Sequence, residues 1–343
     1  MVHEPPKLSG LLPDRHPQQE LFLCDVADVV LKDDIASMEH PFFSLATKPV
    51  FNPVVYENGN NWIRIVPSEI GLATIQDKDL LIFVISQMIK GHADGRPINR
   101  RVRFKAYDFL VFANRKTGGK DYETVIDALT RLDGTRIRTN VEADDEEERK
   151  GFGLIDSFRV TRSKVGNRIV EIEVTISDWV FRAIEGHKVL TLHRDYFRLR
   201  KPIERRIYEI GRKHCGKQES WRVSLDVLRK KCGSHSPKKR FKQIVKGIVD
   251  VGHMPDYELC LEGDFLEFRN RGVLAAIAEH MGDVQLDWDV YHDAKDMAPG
   301  WDIRYLEGRW RAWVTETGKE VPRDPERAFL GFCKAWYEKR GRP

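Results

Sequence analysis

Apolar and polar residues alternate along the first part of the chain in a way that predicts short strands and helices. Residues 62–66 read Trp-Ile-Arg-Ile-Val, an alternation typical of a strand. An apolar stretch that reaches Ile89 predicts a helix that Asp77 or Asp79 can cap and that ends before Gly91. The pattern then predicts a strand at 101–104, a helix at 106–113, a turn at 117–119, a helix at 120–132, and strands at 135–141, 152–161 and 168–176.

The same order of strand, helix, turn, helix and hairpin returns about 119 residues later. Pro202 favours the start of a helix, and Ser236 is expected to N-cap a later helix with Pro237 in its first position. Because internal repetition indicates repeated structural units, we predict two similar domains. The second copy consists of a helix at 202–214, a strand at 221–224, a short helix at 225–231, a turn at 233–235, a helix from 236, and hairpin strands at 257–261 and 265–269.

One helix in each copy carries the apolar spacing i, i+3, i+4, i+7, which is typical of a helix that packs on one face. The spacing is formed by Tyr122, Val125, Ile126 and Leu129 in the first copy and by Phe241, Ile244, Val245 and Ile248 in the second. The predicted fold class is therefore α+β, with tandem winged helix-turn-helix domains and a small helical C-terminal segment. The expected divisions are an N-terminal extension (1–55), a first winged-helix domain (56–188), a second winged-helix domain (189–272) and an aromatic-rich C-terminal helical segment (273–343).

Positive charge is concentrated in one part of the chain. The whole protein has a formal net charge of +4, yet residues 190–246 hold 18 Lys and Arg against 5 Asp and Glu, a net charge of +13. A block with this field attracts a polyanion, and nucleic acid is the commonest polyanion in the cytoplasm. A solvated pair of surface helices is the alternative. The acidic run at 142–148 is expected to be a solvated hairpin tip, with a decoy for the basic groove as the alternative.

The second helix of a helix-turn-helix enters the major groove, so its outward face must be cationic and polar. At 100° per residue, Lys239, Lys242, Gln243 and Lys246 lie opposite the apolar face of the helix in the second copy. The lysines are candidates for phosphate or guanine contacts, and Gln243 has the donor and acceptor that suit adenine. Flanking residues predicted to contact duplex DNA are Arg222, Arg229, Lys230, Lys231, Ser236, Lys238 and Arg240.

The corresponding helix of the first copy is less suited to reading bases. Two of the five side chains expected on its outward face, Glu123 and Asp127, are acids that phosphates repel. We expect this copy to grip the DNA backbone or another copy of the protein and to read bases weakly, with a purely structural role as the alternative. Basic residues also lie upstream at Arg100, Arg101, Arg103 and Lys105, and the predicted DNA contacts of this copy are Arg115, Lys116, Lys120, Thr124 and Arg131.

Length and composition exclude several classes of protein. A chain of 343 residues, 41% apolar and 32% charged, is expected to form two globular domains and a small third. The longest apolar run, at 80–85, has six residues where a membrane helix needs about 20, so no membrane partner is predicted. Five cysteines without a C-x-x-C pair indicate reduced thiols and a cytoplasmic protein.

The sequence offers no motif for catalysis or for a bound group. A phosphate-binding loop is not formed, because its nearest counterpart, at 114–121, lacks the first glycine and the hydroxyl. No His-x-His pattern of the rolling-circle nickases is present, and Cys232 with His235 falls short of four zinc ligands. We therefore predict no enzymatic activity, no catalytic residue, no cofactor and no metal.

Residues 288–337 contain ten aromatic residues in 50, double the 10% of the whole chain. Phe329, Phe332, Cys333 and Trp336 fall at the spacing of a helical core. A small helical domain that buries its own aromatic rings is one interpretation. Stacking on single-stranded bases, or docking to another replication or transcription protein, is the other. Basic residues that suit the stacking hypothesis are Arg309, Arg311, Lys339, Arg340 and Arg342.

Several stretches are long enough to indicate a protein family. They are Gln19-Glu-Leu-Phe-Leu-Cys-Asp25, Lys32-Asp-Asp-Ile-Ala-Ser-Met-Glu-His-Pro41, Phe152-Gly-Leu-Ile-Asp156, Val189-Leu-Thr-Leu-His-Arg-Asp-Tyr-Phe-Arg-Leu-Arg-Lys-Pro-Ile-Glu-Arg-Arg-Ile-Tyr-Glu209 and Arg212-Lys-His-Cys-Gly216. Over most of residues 19–270 the chain resembles the plasmid replication initiator protein A family of bacteria. The resemblance implies a non-catalytic protein with paired winged-helix domains. Such proteins bind repeated origin sites, help to melt adjacent DNA, recruit the host helicase machinery and often repress their own promoter as dimers.

The predicted function is that of a sequence-specific initiator of plasmid replication. Its expected partners are double-stranded DNA at repeated origin sites, a second copy of the chain off DNA, and a host helicase or initiator that contacts the C-terminal segment. A winged-helix transcriptional repressor without a replication role is the alternative. A nucleic-acid enzyme is the third class, and it would require metal or ATP for which the sequence offers no ligands.

Overall fold

The computed structural model describes residues 10–16, 23–25, 42–58, 61–93, 95, 97–139, 150–163, 169–185, 190–216, 218–284, 286–317 and 321–343. The acidic run at 142–148 and the stretch at 32–41 lie outside the described residues. The chain divides into two compact units. The larger unit contains the described residues up to 214 together with 223–255, and the smaller unit contains 215–222 together with 256–343.

The strands are short, and in the described chain they form four sheets of order β1-β9, β2-β3-β5-β6, β4-β8-β7 and β10-β12-β11. Neighbouring strands run antiparallel in the first three sheets and in the β11–β12 hairpin. The strands are β1 (Leu23–Asp25), β2 (Val54–Asn58), β3 (Asn61–Val66), β4 (Arg101–Phe104), β5 (Arg136–Thr139), β6 (Lys150–Gly153), β7 (Ile155–Arg162), β8 (Ile169–Ile176), β9 (Leu190–Leu192), β10 (Ser220–Ser224), β11 (Tyr257–Glu262) and β12 (Phe265–Asn270).

Helices make up most of the remaining described chain, and the fold is accordingly a mixed α/β fold with antiparallel sheets. A short 3-10 helix, Arg194–Arg198, follows β9. The α-helices are α1 (Lys78–Ala93), α2 (Ala106–Phe112), α3 (Gly119–Gly134), α4 (Asp178–Glu185), α5 (Pro202–His214), α6 (Leu225–Lys231), α7 (Lys238–Val251), α8 (Arg271–Asp283), α9 (Trp288–Met297), α10 (Ile303–Thr317) and α11 (Pro325–Arg340).

The order of elements predicted for both copies is confirmed, with differences at particular boundaries. Helix α1 continues through Gly91 to Ala93, because one glycine inside a helix costs only about 1 kcal/mol. The pattern missed β2 and α4 altogether. The prediction of one strand at 152–161 is wrong, because these residues belong to two strands in different sheets.

Leu154 marks the change from one sheet to the other. Strand β6 ends at Gly153, where it pairs with Arg136 of β5, and β7 begins at Ile155, where it pairs with Ile176 of β8. The side chain of Leu154 is fully buried between these two positions. A single run of alternating residues therefore crosses between sheets at a point that periodicity does not reveal.

Two three-stranded sheets are built in the same way: the strand before the helix pair lies next to the second strand of the hairpin that follows the pair. In the first copy, β4 precedes the helix pair α2–α3 and pairs with β8, the second strand of the β7–β8 hairpin. In the second copy, β10 precedes the helix pair α6–α7 and neighbours β12, the second strand of the β11–β12 hairpin. The first copy differs by the insertion of β5 and β6, which join another sheet.

Helix α1 lies in the core of the larger unit. Residues 80–85 are all buried, as expected for a helix that is apolar on every side. The ring centroid of Phe83 lies 4.9 Å from those of Phe104 and Phe112 and 5.7 Å from that of Phe109, in edge-on arrangements. These contacts hold α1 against β4 and α2, the elements that begin the first copy.

Charged residues are also buried where α1 begins. Nζ of Lys78 lies 3.1 Å from Oε1 of Glu209, while Oδ1 of Asp79 lies 2.6 Å from Nη1 of Arg205. Oδ2 of Asp79 also accepts a hydrogen bond from Nη2 of Arg115, at 2.9 Å. Pairing compensates part of the cost of taking these charges out of water. We call Lys78, Asp79, Arg205 and Glu209 the buried ion cluster.

The smaller unit contains helices α8 to α11, and the predicted helical C-terminal segment is present. Trp310, Phe329 and Cys333 are fully buried at its centre, with Leu306 beside them. Burial raises the pKa of the Cys333 thiol to about 12. None of the helices in the described chain is both long and apolar enough to cross a membrane.

Candidate nucleic-acid interface

Helices α6 and α7 are joined by a tight turn. The side chain of Ser224 caps α6 by accepting a hydrogen bond from the N–H of Val227, at 3.4 Å. Gly233 has a φ of +62°, a left-handed conformation that favours glycine, and its N–H donates to the carbonyl of Lys230. Cys232, beside this turn, is buried, and burial raises its pKa to about 12, so the thiol is neutral near neutral pH.

Helix α7 begins at Lys238, and Pro237 occupies its N-cap position with a φ of −53° and a ψ of 147°. The expectation that Ser236 caps the helix is therefore wrong. The ψ of Pro237 lies outside the helical region, so Pro237 is still non-helical and Lys238 is the first helical residue. At the other end, Gly252 closes α7 with a left-handed φ of +66°, and its N–H donates to the carbonyl of Ile248.

The predicted two faces of α7 are confirmed. Phe241, Val245 and Ile248 are buried in the larger unit, and Ile244 is half-buried beside them. On the other side Lys239, Gln243 and Lys246 are exposed, while Lys242 is half-buried. No described residue forms an ion pair or hydrogen bond with Lys239, Gln243 or Lys246, so these side chains are available to a ligand.

Two other basic side chains lie at the start of α7. Nζ of Lys238 lies 2.8 Å from Oδ2 of Asp226 on α6, and both side chains are exposed. An exposed pair of this kind contributes about 0 to 1 kcal/mol, so it can exchange its partner for a phosphate at low cost. Arg240 and Lys230 are exposed as well. The surface formed by α7 and the end of α6 is thus predominantly cationic.

Two residues expected in this surface point into the protein instead. Lys231 is buried, with its Nζ 3.2 Å from Nε2 of His214, and its carbonyl accepts hydrogen bonds from Arg206. Arg229 is half-buried, and its Nη1 donates to the carbonyl of Ser236 at 3.4 Å. Lys231 therefore ties α6 to α5, and Arg229 ties α6 to the segment that leads into α7.

Arg222 lies on β10 in the smaller unit and is exposed. Its guanidinium lies 4.7 Å from the ring centroid of Phe265 and 3.7 Å from the carboxylate of Glu262, both in the β11–β12 hairpin. The side chain is therefore held against the hairpin of its own unit, with its charge open to solvent.

In the first copy, the start of α3 is exposed as expected. Lys116, Lys120 and Thr124 all face solvent, and Oγ1 of Thr124 donates to the carbonyl of Asp121 at 2.6 Å. Glu123 is exposed too and pairs with Arg162 at 3.1 Å. The mixture of acidic and basic residues predicted for this face is present.

Arg131 and Arg115 do not face outward, and this corrects their predicted placement. Arg131 makes two hydrogen bonds with the buried carboxylate of Asp77, at 2.7 and 2.8 Å. Arg115 bonds Asp79 and lies over the ring of Phe109 at 5.1 Å. Both guanidinium groups are drawn inward because the carboxylates that precede and begin α1 are buried and require cations.

Three exposed arginines were not predicted from the sequence as part of a basic surface. Arg64 on β3 and Arg136 and Arg138 on β5 occupy the solvent side of the β2-β3-β5-β6 sheet. The signal was the alternation of arginine with isoleucine in both strands, but only the pairing of β3 with β5 brings the arginines together. Within the described part of the chain, no three His, Cys, Asp or Glu side chains cluster as metal ligands would.

Comparison with known sequences shows one family over most of the chain. The family model described as Replication initiator protein A matches residues 32–259. A protein of Wigglesworthia glossinidia brevipalpis named "Putative replication protein" is 37% identical over 259 residues, which cover 74% of this chain and 94% of that protein. The matched region contains both copies of the repeated elements up to β11.

A solved structure shares the fold. The crystal structure of domains 2 and 3 of RctB aligns with a TM-score of 0.53 and 11% sequence identity. The alignment covers 70% of this chain and 97% of that one. At this identity the likeness concerns the arrangement of helices and strands alone.

Proposed function

The chain belongs to the Replication initiator protein A family, and from this premise we propose that it is a sequence-specific duplex DNA-binding protein that initiates plasmid replication. It recognises repeated sites at the origin, promotes melting of the adjacent DNA and recruits the host replication machinery. The observation that carries the proposal is the exposed cationic face of α7, whose opposite face is buried in the protein.

We assign a winged helix-turn-helix to each copy. The support is the recurring order of strand, helix pair and hairpin, together with the pairing of the first strand with the last in both three-stranded sheets. In this arrangement α3 and α7 are the second helices of their pairs, and the β7–β8 and β11–β12 hairpins are the wings. The proposed domains keep the divisions at 56–188 and 189–272.

Helix α7 fits the requirements of a recognition helix. The major groove is about 12 Å wide and admits one α-helix, which must be held from behind. Phe241, Val245 and Ile248 supply that attachment. We propose that Lys239 and Lys246 contact phosphates or guanine and that Gln243 contacts adenine. Two winged helices in tandem would enter successive major grooves, about 34 Å apart.

The protein acts in this proposal without catalysis, cofactor or metal, and in the cytoplasm where its DNA lies. A second copy of the chain is the proposed partner off DNA. A host helicase or initiator is the proposed partner of the C-terminal segment, where Tyr305 is 49% and Trp313 is 38% exposed on α10. Exposed aromatic residues beside arginine are typical of the centres of protein interfaces.

The proposal is tested by asking whether DNA that carries this gene and its flanks replicates on its own. The segment is joined to a selectable marker without another origin and introduced into a bacterial host. Replication is expected with the natural protein and with the control Lys48→Ala/Lys90→Ala, in which two exposed lysines elsewhere in the larger unit are removed. Replication is expected to fail with Lys239→Ala/Lys246→Ala.

Footprinting of the purified protein on the same flanks distinguishes the rival function. Tandem direct repeats beside an A·T-rich stretch are expected for the initiator. A segment that does not replicate, combined with protection of one inverted repeat over the promoter, would establish the transcriptional repressor instead.

A further inference from the structure

Arginines from two neighbouring strands lie side by side on one sheet of the larger unit. Arg64 of β3 and Arg138 of β5 are direct cross-strand partners, and Arg136 is opposite Val66 two pairs farther along. Residues directly opposite each other in antiparallel strands have Cβ atoms about 4.5 to 5.5 Å apart. We call Arg64, Arg136 and Arg138 the arginine face.

The alternation of the strands fixes the direction of these side chains. Ile63, Ile65 and Ile137 are buried on the core side of the sheet. Since successive residues of a strand point to opposite sides, the three arginines point to the solvent side, where each of them is exposed.

The next strand leaves this side of the sheet uncovered. Strand β6 places Gly151 opposite Arg138 and Gly153 opposite Arg136. A Cβ atom added to Gly153 would lie 2.8 Å from Nη1 of Arg136, so the guanidinium occupies the space that a side chain there would need. A Cβ on Gly151 would lie 4.0 Å from Cγ of Arg138, in ordinary contact.

This arrangement costs folding free energy. Like charges directly opposite each other in a sheet are destabilising. Arg101 and Arg103 on β4 lie close to the carboxylate of Glu173, and Arg162 is paired with Glu123. No described acidic residue pairs with any member of the arginine face. Three adjacent exposed cations on one side of a sheet create a positive field that attracts an anion.

We propose that the arginine face binds the phosphate backbone of the same duplex DNA that α7 contacts, and so forms a second DNA-binding surface. Guanidinium groups bind phosphate through paired N–H donors, and Arg on a flat sheet can reach a backbone without entering a groove. Three cations and one half-buried ring, Trp62, favour phosphates over unstacked bases as the ligand. This proposal rests on the proposed function.

The test compares three variants of the full-length protein on a duplex that contains the footprinted site. Arg64→Gln/Arg138→Gln removes two charges from the arginine face. Lys48→Gln/Lys90→Gln removes two charges from exposed positions elsewhere in the same unit as a matched control. Lys239→Ala/Lys246→Ala removes two charges from α7. Binding is measured by fluorescence anisotropy at several salt concentrations, with a scrambled duplex and a single strand in parallel, and folding of each variant is checked by thermal unfolding.

The arginine-face variant is expected to reduce the salt slope of log K by about 2 on both duplexes, since each phosphate contact contributes about 0.9. The Lys48→Gln/Lys90→Gln control is expected to keep the natural slope. Equal slopes for the arginine-face variant and the natural protein, with binding weakened in the α7 variant, would overturn this proposal and leave the proposed function standing. Equal losses in the arginine-face variant and in the Lys48→Gln/Lys90→Gln control, or a loss confined to the single strand, would also overturn it. Site binding that survives in the α7 variant would instead count against the proposed function.

Discussion

Nη1 of Arg205 lies 2.6 Å from Oδ1 of Asp79, although the two residues are 126 positions apart in the chain. Asp79 belongs to α1, which packs beneath the first copy, and Arg205 belongs to α5, which begins the second copy. Both side chains are buried. The pair therefore joins the two copies inside the larger unit through a contact that water does not screen.

Removing one partner of this pair is expected to destabilise the protein strongly. Asp79→Ala leaves the guanidinium of Arg205 buried without its carboxylate and also takes a partner from Arg115. We expect a loss of about 3 to 5 kcal/mol in the free energy of unfolding, measured by urea titration. Asp178→Ala is the control, because its ion pair with Arg182 is exposed and should contribute less than about 1 kcal/mol. Similar losses of unfolding free energy in Asp79→Ala and Asp178→Ala would show that a buried ion pair contributes no more to stability than an exposed one.

The stability of the larger unit is expected to fall in acid through Glu204. Burial by itself raises the pKa of this carboxyl, but the imidazole of His253, whose Nε2 lies 3.4 Å from Oε1, and a hydrogen bond from the backbone N–H of Lys201 outweigh burial, and the pKa is lowered. A carboxyl with a lowered pKa stabilises the fold above its unfolded pKa of about 4.3, and that stabilisation is lost as the pH falls through the folded value.

Glu204→Gln is therefore expected to show a shallower fall of unfolding free energy than the natural protein between about pH 5 and pH 3. Glu69→Gln, at an exposed position, should keep the natural pH dependence. The measurement is urea unfolding at a series of pH values. Parallel curves for Glu204→Gln and the natural protein would show that this carboxyl does not contribute to acid sensitivity.

The cationic face of α7 is expected to determine the salt dependence of DNA binding. Lys239→Ala/Lys246→Ala should lower the magnitude of the salt slope by about 2, because each lysine releases about 0.9 of a counterion at a phosphate. Lys48→Ala/Lys90→Ala removes the same charge from exposed positions elsewhere in the larger unit and should leave the slope unchanged. An unchanged salt slope in Lys239→Ala/Lys246→Ala would show that α7 does not bind in the major groove.

Gln243 is expected to read a base. Gln243→Ala should lose about 1 to 3 kcal/mol of binding free energy on the natural site, with a smaller loss on sites altered at the contacted base pair. The measurement is a panel of duplexes with single base-pair changes across the footprint. Equal losses on every duplex, including unrelated DNA, would indicate a backbone contact and refute base reading.

The exposed rings of α10 are expected to act in replication without acting in duplex binding. Tyr305→Ala/Trp313→Ala should abolish autonomous replication while the affinity for the duplex site remains unchanged. Both side chains are exposed, so folding should be retained, and thermal unfolding checks this. Tyr107→Ala, an exposed ring on α2, is the control and should replicate normally. Weaker duplex binding in the double variant would place these rings in the DNA-binding surface instead.

Local periodicity was sufficient to predict much of this protein. The sequence predicted α5 and α6 at their observed bounds, and it predicted which side of α7 is buried. These features depend on interactions among residues three or four positions apart, which the order of apolar residues determines directly. The family also followed from the sequence, and all but the first of the stretches that resemble it lie within the matched residues 32–259.

Only the tertiary structure determined which basic side chains are buried and which are exposed. Arg131, Arg115 and Lys231 belong by sequence to the same basic regions as Lys120 and Lys239, yet the first three point inward and the other two face solvent. Their partners lie 54, 36 and 17 positions away, beyond the range of any helical pattern. The arginine face likewise exists only because β3 pairs with β5. A cation's partner depends on which distant segments share a core, and that is a property of the folded chain.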